Sequence, residues 1–244
     1  MAIYFQVYFT VSTHLNLFFL NSLDILYEDN HLIAINKKAG ELVQGDKTGD
    51  TPLSETVKAF IKQRDQKPGN VYLGVPHRLD RPTSGVVIFA KTSKILPRMN
   101  ALFASQDAHK TYWALVQPSP KNKSEILTHW MVRNTKQNKS YAHKKEVPNA
   151  KLAKLKYSLI KELERYTLLE IQLYTGRHHQ IRAQLSAIGC CIKGDLKYGA
   201  SRSNPDGSIH LHARHLFFEH PVKKIAISII APTPKEALWA ACES

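Results

Sequence analysis

Two apolar periods run through this chain. Leu155, Tyr157 and Leu159, then Leu169, Ile171 and Leu173, are apolar at every second position. A period of two predicts strands with one buried face, and residues 162–166 between them predict the turn of an antiparallel hairpin. Further strands are predicted over 23–27 and 32–36 around the Glu28-Asp29-Asn30 turn, and over 86–90, 110–116, 211–218 and 225–230. Helical spacing takes over at Leu53, Val57, Phe60 and Ile61, with Thr51 placed to cap and Pro52 at the first position. A second helix is predicted behind Thr92 or Ser93, carrying Ile95, Leu96, Met99, Leu102 and Phe103. A third spans 178–188, with Ile181, Leu185 and Ile188 inward and Gly189 at its end. Pro234 opens a short terminal helix with Leu238 and Trp239. Strands dominate and several pair as hairpins. The predicted class is therefore α+β: a mixed, mainly antiparallel central sheet with flanking helices.

Two stretches break the pattern. Residues 1–22 are apolar and aromatic, with Phe5, Val7, Phe9 and Val11 alternating, but lack a basic start and a small-residue cleavage site. They predict an N-terminal extension, added strand or poorly ordered, rather than a signal peptide or a spanning helix. Residues 117–149 are lysine-rich and polar, interrupted by a short strand at 126–132, and predict an exposed insertion with a basic face. The rest, 23–244, reads as one folded domain.

Charge narrows the class of partner. Lys+Arg 34 against Asp+Glu 20 gives a formal net charge of +14 over 244 residues. That surplus favours a polyanion, nucleic acid or an acidic membrane face. Cys190, Cys191 and Cys242 form no disulfide framework and no Cys-x-x-Cys pair, which points to a reducing compartment.

Candidate chemistry gathers in three clusters. In residues 75–89, Asp80 lies between Arg78 and Arg81, then Pro82 and Gly85 bracket a turn before an apolar run. Asp80 reads either as a turn-bracing carboxylate or as one kept charged by positive neighbours. Thr175-Gly176-Arg177-His178-His179-Gln180-Ile181-Arg182 sits at a strand-to-helix junction, where free backbone donors suit an anion. In residues 209–215, His210, His212 and Arg214 alternate on one side of a strand. All three clusters could face an RNA backbone or hold an active-site carboxylate. The clustered histidines could suit zinc, but no His-Glu-x-x-His occurs, so no metal site is expected. Phosphate-loop and dinucleotide glycine motifs are absent, as is Gly-x-Ser-x-Gly, so no nucleotide cofactor or serine hydrolase is suggested.

At His77-Arg78-Leu79-Asp80-Arg81-Pro82-Thr83-Ser84-Gly85 the chain resembles the signature of the RluA-type RNA pseudouridine synthases. Further blocks follow in family order: Lys37-Lys38-Ala39-Gly40, residues 110–116, residues 175–182, Gly194-Asp195 to Gly199, and Leu211-His212-Ala213 with His220-Pro221. The resemblance covers residues 25–230. It implies that 23–244 is a pseudouridine synthase catalytic domain, acting without a cofactor because the isomerisation changes no redox state. It implies Asp80 as the catalytic aspartate, Tyr112 as the tyrosine packed on the target base, and Arg177 as the arginine paired with the aspartate. It implies Arg78 as the side chain filling the stack after base flipping, Ile181 as apolar floor, and Arg81, His178 and Arg182 as RNA contacts. The expected partner is structured RNA, large-subunit ribosomal RNA ahead of transfer RNA, for a monomeric cytoplasmic enzyme with no obligate protein partner and no membrane role. Many relatives carry an S4-like RNA-binding domain, and residues 1–22 are too short for one. A catalytically silent RNA-binding protein of the same fold is the alternative reading.

Overall fold

The computed structural model describes residues 23–46 and 48–243; the extension expected over 1–22 lies outside them. Among the described residues eleven strands join into one sheet with the path β1-β2-β3-β10-β4-β8-β7-β5-β6. β1 is Ile25–Glu28, β2 Leu32–Lys37, β3 Ser84–Ala90 and β4 His109–Gln117. β5 is Ser124–Asn134, β6 Lys139–His143, β7 Lys151–Glu162 and β8 Thr167–Leu173. The two-residue β9, Cys191–Ile192, pairs with β4, while β11, Ala226–Ile230, pairs with β10, Leu211–Glu219. Every pairing is antiparallel except β3 with β10, where Ser84 and Gly85 face His212 and Ala213. The mixed, mainly antiparallel sheet of the α+β class is what the periodicities predict.

That parallel seam is the centre of the molecule. All seven residues of β3 are buried, as are Leu32 to Ile35 of β2. Such apolar runs mark strands covered on both faces. Gly85 has φ +113 and lies against the backbone of Ala213, so close that a Cβ there would meet the Ala213 carbonyl oxygen. Only glycine admits that approach. The seam fixes the loop before β3, and Pro82 accepts a hydrogen bond from the Ile209 N–H (3.1 Å) just before β10.

The helices correct several sequence expectations. α1, Leu53–Arg64, buries Leu53, Val57 and Ile61 as the spacing predicts, but Pro52 rather than Thr51 is its N-cap, with no side-chain cap bond. α2, Ile95–Ala104, starts behind Lys94 rather than Thr92 or Ser93. α3 is Gln180–Ala187, two residues shorter at its start than expected, and α4 is Ala237–Glu243. The expected insertion over 117–149 is instead largely regular sheet. β5 pairs with β7 from Ser124 to Met131 and with β6 from Trp130 to Asn134. Leu127, His129 and Met131 are its buried face. The lysines of this region leave the alternation intact, and the alternation decides.

Candidate active site

The Asp80 loop is a braced turn. The Thr83 N–H donates to the Asp80 carbonyl (3.0 Å), closing the turn through Arg81 and Pro82. Lys37, at the end of β2 and 1% exposed, points its ammonium into the loop, donating to the carbonyls of Lys38 (2.8 Å), Arg81 (3.2 Å) and Thr83 (2.6 Å). Burial pulls the Lys37 ammonium down to about 8, against the opposing charges of Glu41 and Asp80. Behind the turn, His77 accepts the Ile88 N–H at Nε2 (3.0 Å), and burial with the nearby Lys110 charge pushes its imidazole down to about 3. It is a neutral clamp between loop and β3.

Asp80 is held from the side by α3. The Arg182 Nη1 donates to Asp80 Oδ2 at 3.0 Å, while its Nε and Nη2 form a fork onto Asp195 at 2.7 and 2.8 Å. The Arg182 side chain is 6% exposed, Asp195 1% and Asp80 29%. Burial works against the guanidinium charge, but Asp195 and then Asp80 outweigh it and raise its proton affinity. The His179 Nε2 also faces Asp80 Oδ2, at 3.5 Å. Both side-chain contacts thus fall on one oxygen. Oδ1 has no side-chain partner among the described residues.

These groups border a cleft of about 620 Å³, large enough for a nucleotide-sized ligand. Asp80, Tyr112, Ile181 and Arg182 line it together with the cationic Arg78, Lys110 and Arg177. Tyr112 stands on β4 between Ala213 of β10 and Ile171 of β8. Burial, with the Asp80 charge added, drives its hydroxyl well above the ordinary tyrosine range. Ile181 is 4% exposed and Arg78 is exposed.

Several expected placements change. Arg182, not Arg177, is the arginine on Asp80. Arg177 is exposed on the cleft rim with its Nε on the Leu152 carbonyl (3.0 Å). α3 begins at Gln180, and Arg182 on its first turn reaches inward where Arg177 in the preceding loop does not. Arg182 is correspondingly buried rather than an open RNA contact. Arg81 lies outside the cleft lining, paired with Asp50 (2.7 Å) and with the Gly40 carbonyl (3.0 Å). His178 borders the cleft but is tied by Nδ1 to Ser140 Oγ (2.8 Å) and by Nε2 to Asn138 Oδ1 (3.2 Å). His210 and His212 are buried against Trp239, with His212 on Ser84 Oγ (2.8 Å), so these two histidines face the core and not RNA, while the half-buried His215 meets Ser228 Oγ (2.8 Å). Lys37, Asp195, His77 and Lys110 went unassigned in the sequence. All four lie inside the family-like sequence blocks, which are the available signal.

The family model for RNA pseudouridylate synthase matches residues 31–187. A tRNA pseudouridine synthase C from Haemophilus ducreyi is 37% identical over 225 residues, covering 85% of this chain and 90% of that protein. A ribosomal large subunit pseudouridine synthase C from Vibrio vulnificus is 30% identical over 214 residues, covering 85% of this chain but 65% of that longer protein. Human RNA Pseudouridylate Synthase Domain Containing 4 superposes with a TM-score of 0.77 at 24% identity, over 93% of this chain and 95% of that one, a likeness of fold.

Proposed function

The chain belongs to the RNA pseudouridylate synthase family, and from that premise we propose that it isomerises specific uridines in structured RNA with Asp80 as its catalytic carboxylate. The carrying observation is the Asp80–Arg182 ion pair at the cleft wall, which orients one carboxylate oxygen and leaves the other uncommitted. The reaction breaks the bond between ribose C1′ and uracil N1, turns the base, and joins C1′ to C5. The C5 proton is lost and N1 gains one, so atoms and charge balance without redox change. Asp80 Oδ1 serves whether the carboxylate attacks C1′ or removes the C2′ proton. The Arg182 guanidinium facing Asp80 supplies the charge that pairs with its carboxylate at the cleft wall.

The remaining residues serve access and fit. Tyr112 and Ile181 present the apolar surface against which the base packs. A uridine must leave its helix to enter, at a cost of a few kcal/mol. Arg78, exposed and two residues from Asp80, fills the vacated stack. Lys110 and Arg177 meet the backbone phosphates, within a molecule of net charge +14. The enzyme is read as cytoplasmic. Relatives are named for ribosomal and for transfer RNA alike, and both belong to the substrate class proposed.

The test is pseudouridine mapping, in deletion cells, of large-subunit ribosomal RNA and transfer RNA, with wild-type, Asp80→Asn or Arg78→Ala protein restored. A site lost on deletion and restored by wild type alone names the substrate. Arg78→Ala is expected to lose more on structured than on flexible targets. Product from purified Asp80→Asn would overturn the assignment. RNA binding with no site restored by any form would favour a silent binding protein.

A further inference from the structure

His179 is the least expected residue near Asp80. It is the N-cap of α3, yet its backbone sits at φ 52, ψ 27, the left-handed region. A non-glycine residue there is strained and persists where its surroundings hold it. The side chain shows what holds it. Its Nδ1 lies 2.9 Å from the Tyr198 hydroxyl, its Nε2 lies 3.5 Å from Asp80 Oδ2, and its ring stacks on His178 at 3.8 Å. The side chain is 6% exposed, and burial pushes its imidazole down to about 3, with Asp80 opposing and Arg182 assisting. It is neutral at physiological pH, so only one of its nitrogens carries a proton.

Which nitrogen follows from the neighbours. The Tyr198 oxygen accepts the Ser140 backbone N–H at 2.8 Å. Its own proton is retained, since burial raises the hydroxyl to about 12. That proton has one acceptor within reach among the described residues, the His179 Nδ1. The His179 proton therefore sits on Nε2, facing the carboxylate. The other tautomer would set a nitrogen lone pair against Asp80 Oδ2 and leave the Tyr198 proton without an acceptor among the described residues, both unfavourable.

We propose that Ser140 N–H, Tyr198 O–H and His179 form a relay that locks the Nε2–H tautomer of His179 toward Asp80, making His179 a positioning residue for the carboxylate and Tyr198 the group that sets its tautomer. The inference rests on Asp80 being the catalytic acid. The distance of 3.5 Å is long for a hydrogen bond, so the contact acts as a dipole that aligns Oδ2 beside Arg182. The stacked His178 is tied to Ser140 Oγ, so both histidines hang from the β5–β6 hairpin.

Long-range proton–nitrogen NMR of ¹⁵N-histidine protein, with His179→Asn assigning the ring, reads the tautomer in the wild type. The expected pattern is Nε2–H at pH 7. A ring protonated at Nδ1, or at both nitrogens, overturns the relay. Asparagine tolerates the left-handed backbone, so His179→Asn also serves a kinetic cycle with Tyr198→Phe. Tyr198→Phe is expected to lower kcat roughly tenfold, the scale of one hydrogen bond, with KM for RNA unchanged. The double variant should be no slower than His179→Asn alone. Losses that multiply would show that Tyr198 acts only through the fold. Activity surviving in Asp80→Asn would instead sink the catalytic reading and leave the tautomer result standing.

Discussion

Arg182 and Arg177 are five positions apart and differ completely in circumstance. Arg182 is buried between two carboxylates. Its replacement by glutamine leaves both without a cation, and breaking such a pair costs about 3–5 kcal/mol. Arg182→Gln is expected to lower the urea midpoint sharply and to abolish turnover. Arg177→Gln removes an exposed charge, so stability should stay within about 0.5 kcal/mol while KM for RNA rises. Equal effects of the two substitutions on stability would contradict the placement of these residues. The resemblance puts Arg177 on the aspartate, and residue type alone does not separate the two arginines. Both sit in one block, and only the start of α3 at Gln180 decides which of them turns inward. His179 was hidden for a similar reason, because its left-handed backbone leaves no mark on residue type.

At the level of elements, the apolar periods carried most of the sheet. β7, β8, β10 and β11 fall within a few residues of their predicted bounds, since alternate Leu, Ile and Tyr positions must share a face. β6 was not legible. Its burial is mostly partial, and the lysines around it resemble those of a solvated loop. The parallel pairing of β3 with β10 was also out of reach, because it depends on contact between distant parts of the chain. Gly85 is the residue that tests it. A methyl group there meets backbone that cannot rotate away, at a φ that resists any side chain. Gly85→Ala is expected to destabilise by roughly 3 kcal/mol or more, read by thermal unfolding. An unchanged Tm would mean that the seam is looser than described.

For the whole molecule, acid should be the weakness. His77 and His179 are held at about 3 and His212 at about 4, in each case chiefly by burial. In the unfolded chain all three titrate near 6.5. Between those values the unfolded state binds more protons, so stability falls as pH drops from about 6.5 toward 4. Carboxylates lowered by folding begin to contribute only below about 4, which leaves the upper window to the histidines. Denaturant midpoints are expected to fall steadily from pH 7 to pH 4.5, and a flat or rising profile would refute this. No helix among the described residues is long and apolar enough to cross a membrane. Finally, the Asp80–Arg182 pair joins residues 102 positions apart, and β3 takes its parallel neighbour from a strand that begins only at Leu211. Synthesis proceeds from the N-terminus, so Asp80 is made long before the guanidinium that orients it or the strand that seats its loop. A growing chain carries the acid while lacking its partners. The connectivity thus acts as a timer, with competence arriving only once the strand Leu211–Glu219 has been made.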